Sequence, residues 1–272
     1  MIDALIAALF GLLIGSFLNV CIYRLPRDLS VVRPRSFCPE CETPIAWYDN
    51  IPLVSFLLLR ARCRKCGKRI PIRYPLVELL TAAAFFCAIW KLGPTGNGLK
   101  FCTFAALLIG LVFADFEERI LPDELTLGGT VLGFVFAYFV PMKWGIMRLF
   151  LFSFHMSDTA LSLAESIFAA AFCAGTLWIV GLIYQRVRNR EGLGFGDVKM
   201  VAMIGAFLGL QGALLTLIVG SLLGSLIGLG YIWLTGKDAS TYELPFGTFL
   251  GAAALIVGFF GEVFLNWYSQ LG

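Results

Sequence analysis

Charged residues are scarce in this chain of 272 residues. They make up 14% of it, whereas 59% of the residues are hydrophobic and the mean hydropathy is +0.84. So little charge excludes an ordinary soluble domain and indicates an integral membrane protein. The excess of positive charge is also small, a net +3, which argues against nucleic acid as a partner.

Long polar linkers, internal repeats and low-complexity tracts are absent too, and what fills the chain instead is a series of apolar runs. There are eight of these runs, and most approach the roughly 20 residues that a helix needs to cross a bilayer, although some are short. They lie near residues 3–23, 75–92, 100–114, 125–141, 164–185, 198–212, 213–234 and 246–268. The alternation of barrel strands is missing, and lipid offers no partner to an unpaired backbone group. The sequence therefore predicts an all-α, polytopic membrane protein with about eight transmembrane helices.

The amino terminus lacks the basic segment of a secretory signal peptide. The first basic residues, Arg24 and Arg27, follow the first apolar run, so we expect residues 1–23 to form an uncleaved transmembrane helix. Residues 24–74 hold 11 of the 21 lysines and arginines. The positive-inside rule then predicts that this loop is cytoplasmic, with both termini outside. We also expect the loop to contact anionic lipid headgroups.

Two C-x2-C pairs lie in this loop, CPEC at 38–41 and CRKC at 63–66. Two such pairs are typical of a tetrahedral zinc site, and the 21 residues between them are close to the spacing in zinc ribbons. Disulfides are the alternative, but the cytoplasmic side is reducing. We therefore expect a structural zinc ion in a zinc-ribbon-like loop between the first two transmembrane helices, bound by Cys38, Cys41, Cys63 and Cys66.

Two apolar segments are too short to span the membrane. The sequence NIPLVSFLLLR at 50–60, between the cysteine pairs, is expected on the membrane surface or beneath the ribbon. Residues 142–163 are compatible with an interfacial helix on the outer side.

Two aspartates stand at the ends of apolar runs. Charge is costly inside a bilayer, so an acid at membrane depth is a candidate for function unless it lies at an interface. Asp115 ends the third run and Asp197 begins the sixth. The predicted membrane topology places both aspartates at the cytoplasmic edge of the membrane, where the two carboxylates can meet although 82 residues separate them.

Three further acids have simpler explanations. We expect Glu165 and Glu262 on the outer side, among solvated headgroups. Glu78 is expected to be buried near the cysteine loop, where packing against Asn19 or Arg73 is favoured over a catalytic role.

A pair of carboxylates that shares one proton and one water is the arrangement of an aspartic protease. Before Asp197, the sequence GLGFGDVKM at 192–200 carries Gly192, Gly194 and Gly196. Glycines leave room for an extended substrate backbone beside the carboxylates. We therefore expect Gly194, Gly196 and Lys199 to bind substrate. The alternative is that each aspartate only caps a helix.

These residues together resemble the bacterial type IV prepilin peptidases, membrane aspartic proteases of the GxGD type. The resemblance covers almost the whole chain and six segments in order. They are GSFLNVCIYRLP at 15–26, the two cysteine pairs around NIPLVSFLLLR, RYPLVELLTA at 73–82, DFEERILPDELTL at 115–127, GLGFGDVKMVA at 192–202 and PFGTFLG at 245–251. One departure concerns the last segment, in which Thr248 stands where the family usually has proline.

The resemblance implies an activity, a catalytic pair and a cofactor. It implies that Asp115 and Asp197 cleave the basic leader from type IV prepilins and type II secretion pseudopilins at the cytoplasmic face of the bacterial inner membrane. It also implies N-methylation of the new amino terminus by S-adenosylmethionine, although no residue is assigned to the methyl donor. The implied domains are a first transmembrane helix (1–23), a four-cysteine loop (24–74) and a transmembrane aspartic peptidase domain (75–272).

Two other functions remain open from the residues alone. A membrane thiol oxidoreductase would use the C-x2-C pairs, but it requires them on the oxidising side. A transporter with a zinc-ribbon loop would use the aspartates as a proton relay, but it would place them near the bilayer midplane.

Overall fold

The computed structural model describes residues 1–142, 145–151, 156–189, 194–235 and 245–269. These residues form helices and connecting turns without a β-strand, which confirms the all-α prediction. The helices are α1 (Ile2–Arg24), α2 (Val54–Leu58), α3 (Arg73–Leu92), α4 (Gly96–Glu118), α5 (Asp123–Phe139), α6 (Ile146–Phe150), α7 (Asp158–Arg188), α8 (Phe195–Thr235) and α9 (Phe246–Ser269).

Five segments of the described chain are long and apolar enough to cross a membrane: Ile2–Arg27, Arg73–Leu92, Gly96–Glu118, Asp158–Arg188 and Phe195–Gly228. A shorter apolar segment covers Phe246–Gly261, and α5 has 17 residues. The protein is therefore a multi-pass membrane protein. The two runs predicted at 198–212 and 213–234 both lie in α8, whose helical conformation is interrupted at Gly209 (φ 71°, ψ −178°).

The chain divides into two compact units, Met1–Ala114 and Asp115–Gly272. In the first unit, α1 and α3 pack so closely that a Cβ on Gly15 would lie 2.6 Å from the Cα of Glu78. A close approach of two backbones at a glycine stabilises helix pairs in lipid, where the hydrophobic effect contributes little. Glu78 is buried and accepts a hydrogen bond from the backbone N–H of Leu53 at 2.8 Å. Its carboxylate thus holds the segment that leads into α2.

The second unit is built on α8, which packs against α5, α7 and α9. The first half of α8 lies against α7 at Gly205, where a Cβ would come within 2.9 Å of the backbone of Ala169. Ser166 on α7 donates a hydrogen bond to the carbonyl of Ala206 at 2.7 Å. This close packing fixes the half of α8 that carries Asp197 in its first turn.

Glu165 differs from the sequence prediction, because it is buried (2% exposed) and not solvated among headgroups. Its Oε1 accepts a hydrogen bond from the N–H of Leu210 at 3.0 Å, and its Oε2 accepts one from Met147 at 2.9 Å. Leu210 follows the interruption at Gly209, and amides there have no helical acceptor. The prediction was wrong because it considered only the position of Glu165 along its own apolar run, and not the backbone amides that other helices bring to it. The side chain of Glu262 lies outside the described residues.

We expect Glu165→Leu to lower the free energy of unfolding by about 3 kcal/mol, since one buried and one part-buried amide lose their acceptor. The measurement is thermal or denaturant unfolding in detergent. Asp158→Asn on the same helix is the matched control: its carboxylate pairs with Arg148 at 2.8 Å, and both side chains are exposed. An exposed pair contributes about 1 kcal/mol or less. Equal losses in the two variants would contradict the role given to Glu165.

Candidate active site and metal centre

The four loop cysteines lie together in the structure. The Sγ atoms of Cys38, Cys41, Cys63 and Cys66 are all within 4.8 Å of one another, and those of Cys38 and Cys66 are 3.9 Å apart. A tetrahedral zinc ion with Zn–S bonds near 2.3 Å would separate its sulfurs by about 3.8 Å. The cluster therefore suits a metal ion, and all eight cysteines of the chain are free of disulfides.

The two C-x2-C pairs have the same backbone geometry. In each, the N–H four residues after the first cysteine donates to that cysteine's carbonyl: Glu42 to Cys38 at 2.8 Å and Gly67 to Cys63 at 3.0 Å. Both donors have positive φ, 52° at Glu42 and 69° at Gly67. Glycine suits this conformation, which is why the sequence indicates the second turn more clearly than the first.

Hydrogen bonds within the turns also favour thiolates at two of the sulfurs. Hydrogen bonds from Thr43 lower the pKa of the Cys41 thiol to about 6. The backbone amides of Cys66 and Lys65 lower the pKa of Cys63. Thiolates are the form that binds metal. The arrangement is therefore that of a metal-binding cluster with oriented amides.

Asp115 lies near the end of α4 and is buried (6% exposed). Its Oδ2 accepts two hydrogen bonds from one residue at the start of α9, from the backbone N–H of Thr248 at 2.6 Å and from the hydroxyl of Thr248 at 2.9 Å. The preceding residue, Gly247, permits this approach, because a Cβ there would lie 3.1 Å from the Cγ of Asp115. The carboxylate is thus held against the first turn of α9.

Asp197 lies in the first turn of α8 and interacts electrostatically with Asp115. Leu121, three residues after α4 ends, lies beside the starts of both α8 and α9. A Cβ on Gly196 would be 3.0 Å from the Cβ of Leu121, and one on Gly247 would be 3.1 Å from its Cδ1. The structure therefore brings together the two aspartates that the sequence singled out.

The residues expected to bind substrate have different surroundings. Gly194 is exposed, and a Cβ there would lie 3.3 Å from Oδ2 of Asp197. Gly196 faces Leu121. Lys199 forms an ion pair with Asp123, and its ammonium lies 5.3 Å from the centre of the Phe195 ring. The remaining glycine of the tract, Gly192, lies outside the described residues.

We expect Gly196→Val to lower the rate of cleavage about a hundredfold. The valine would push the start of α8 away from Leu121, and a displacement of about 1 Å at a reacting group costs a factor of that size. Rates of leader removal from a prepilin measure it. Gly175→Val in α7 is the control, since a Cβ there meets nothing within 4 Å. Full activity of the Gly196 variant would contradict the role given to the close approach of Gly196 and Leu121.

Thr248 and Leu121 were not among the site residues that the sequence predicted. Thr248 has one signal in the sequence, its departure from the family's proline. Its backbone N–H is also one of the first four of α9, which have no acceptor within a helix. Leu121 has no distinguishing signal, because the leucine that begins LPDE is one apolar residue among many.

Comparison with known proteins identifies relatives over nearly the whole chain. Residues 9–92 match the bacterial peptidase A24 N-terminal domain, and residues 102–229 match the type IV leader peptidase family. A prepilin leader peptidase/N-methyltransferase of Aeromonas hydrophila is 34% identical, across 96% of this chain and 91% of the relative.

Relatives of the same name occur in other bacteria. The one from Legionella pneumophila is 33% identical, across 97% of this chain and 93% of its own length. The one from Myxococcus xanthus is 39% identical, across 86% of this chain and 64% of the relative. No solved structure matches the chain.

Proposed function

Because this chain belongs to the type IV leader peptidase family, we propose that it removes the basic leader from type IV prepilins and pseudopilins and then N-methylates the new amino terminus. Membership confirms the resemblance that the motifs indicated. The observation that carries the catalytic assignment is the meeting of the helix ends that hold Asp115 and Asp197, since Leu121, which follows α4, lies beside Gly196 at the start of α8. We assign these two residues as the catalytic pair.

The proposed cleavage is general acid–base hydrolysis by this pair. One carboxylate takes a proton from a water molecule while the water oxygen attacks the scissile carbonyl carbon. The other, protonated, carboxyl group donates its proton to the leaving nitrogen as the C–N bond breaks. The proton gained by the first group then returns to the second, which restores the pair for another cycle. Gly194, Gly196 and Lys199 remain our proposal for contacts with substrate.

We further propose that the reaction occurs at the cytoplasmic face of the bacterial inner membrane. Support comes from the basic residues of the 24–74 loop, which the positive-inside rule assigns to the cytoplasm. Labelling with a membrane-impermeant thiol reagent tests on which side of the membrane the 24–74 loop lies. Labelling of Cys66, which is exposed, from outside intact cells would instead favour a thiol oxidoreductase. Protection in cells, and labelling in inverted vesicles after a chelator has removed the metal, is the expected result.

Methyl transfer is assigned to the 24–74 loop, with zinc as its structural metal. A cavity of about 520 Å³ lies beside the second cysteine pair, lined by Phe56, Arg60, Ala61, Arg62, Arg69, Ile70, Pro71 and Ile72. Its volume is in the range of small-molecule sites. The three guanidinium groups suit the carboxylate of S-adenosylmethionine, and the apolar wall suits its adenine. The bound cofactor would supply the methyl group.

Processing in membranes tests the peptidase assignment. Membranes from a strain without prepilin peptidase, carrying this chain, should convert an added prepilin to the shorter form. Unprocessed prepilin, with the chain present in the membrane in folded form, would refute the proposal.

A further inference from the structure

Thr248 contacts Asp115 in an unusual way, since one residue supplies two donors to one carboxylate oxygen. The backbone N–H and the hydroxyl of Thr248 both donate to Oδ2, at 2.6 and 2.9 Å. A carboxylate oxygen has about two acceptor positions. The bonds from Thr248 therefore occupy the acceptor positions of Oδ2.

The start of α9 adds to this restraint. Gly247 brings the backbone close to the carboxyl group, and the amino-terminal end of a helix attracts negative charge. Two ionisable side chains also interact electrostatically with Asp115: Arg119, which directly follows α4, and Asp197 on α8. The bonds from Thr248 and the close approach of Gly247 thus restrain the carboxyl group from the start of α9.

We propose that Thr248 is a positioning residue for cleavage, which holds Oδ2 of Asp115 so that Oδ1 is the oxygen that exchanges protons with the water or the leaving amine. This inference rests on the proposed peptidase function. Whichever aspartate activates the water, the proton that Asp115 takes up or releases moves at Oδ1, because Oδ2 is already occupied by two donors. Proline, the usual residue at this position in the family pattern, has neither donor. The two hydrogen bonds to Asp115 therefore depend on the threonine of this chain.

Thr248→Val tests the hydroxyl contact with little change in shape. We expect kcat for prepilin cleavage to fall about tenfold, with KM within about twofold, because a lost hydrogen bond to a reacting charge affects the chemical step. Thr248→Ser keeps both donors and should restore kcat to within about twofold of the unchanged protein. The matched control is Thr216→Val, a buried threonine whose hydroxyl donates only to its own helix, to Gly212 at 2.8 Å.

The outcomes separate this inference from the proposed function. If the unchanged protein cleaves prepilin and the valine variant has the same kcat, the role of Thr248 is refuted and the peptidase assignment stands. A serine variant as slow as the valine variant would also refute it, since both donors are then present. If the valine variant does not fold, Thr248→Ala gives the same comparison. Absence of cleavage by the folded, unchanged protein refutes the function itself.

Discussion

Asp115→Asn and Asp197→Asn should each slow prepilin cleavage by at least about a thousandfold while leaving the protein folded. A single carboxyl group cannot both take a proton from water and hold one ready for the leaving amine, and an amide can do neither. Asparagine keeps the size of the side chain and one acceptor oxygen, so Thr248 retains a partner in the Asp115 variant. Initial rates of leader removal by purified protein measure the effect.

Asp158→Asn is the matched control for both substitutions. Asp158 begins α7, belongs to the same compact unit and is exposed, and its carboxylate pairs with Arg148. Loss of one exposed ion pair changes stability by about 1 kcal/mol or less. If the control were as slow as the two aspartate variants, or if either of those kept substantial turnover, the assignment of the catalytic pair would fail.

The double variant Cys38→Ser, Cys63→Ser should lose its metal and its methyltransferase activity. One zinc ion per chain is expected in the unchanged protein, since the four sulfurs already lie within 4.8 Å of one another and one pair is 3.9 Å apart, close to the separation in tetrahedral zinc. Removal of one ligand from each C-x2-C pair leaves two, too few for a closed site. Metal analysis and the methylation of a pre-cleaved pilin measure the two losses.

Cleavage should survive this change better than methylation, because Asp115, Asp197 and Thr248 all lie in the second compact unit. Cys87→Ser is the control, since Cys87 is an exposed thiol on α3 outside the cluster. Conversely, Asp115→Asn should still methylate a pre-cleaved pilin. A cysteine variant that methylates normally without metal would overturn the division of labour between the loop and the aspartates.

The helices were predictable because the backbone polar groups of a chain in lipid must be hydrogen-bonded within the protein, which leaves few secondary structures to choose from. Apolar runs such as 75–92 need only a length and a composition to be assigned as helix, and the structure has α3 there, at Arg73–Leu92. The cysteine cluster was predictable for a similar reason, since the spacing of two C-x2-C pairs already implies two turns that face one ion. These are local patterns with few alternative structures.

Contacts that depend on where two helices meet were not predictable in this way. Glu165 was expected in solvent because nothing in the run around it indicates that α8 breaks at Gly209 and needs an acceptor there. Thr248 was noticed only as a departure from a family pattern. Its contact with Asp115 joins residues 133 positions apart and becomes visible only when α9 is placed.

Mass spectrometry of a pilin amino terminus tests the central claim most directly. A prepilin is incubated with the purified protein and S-adenosylmethionine, alongside the Asp115→Asn and Asp197→Asn variants. The account predicts that the unchanged protein yields a pilin without its leader and heavier by one methyl group, and that both variants leave the prepilin intact. Intact prepilin with the folded, unchanged protein, or a cleaved product with either variant, would contradict it.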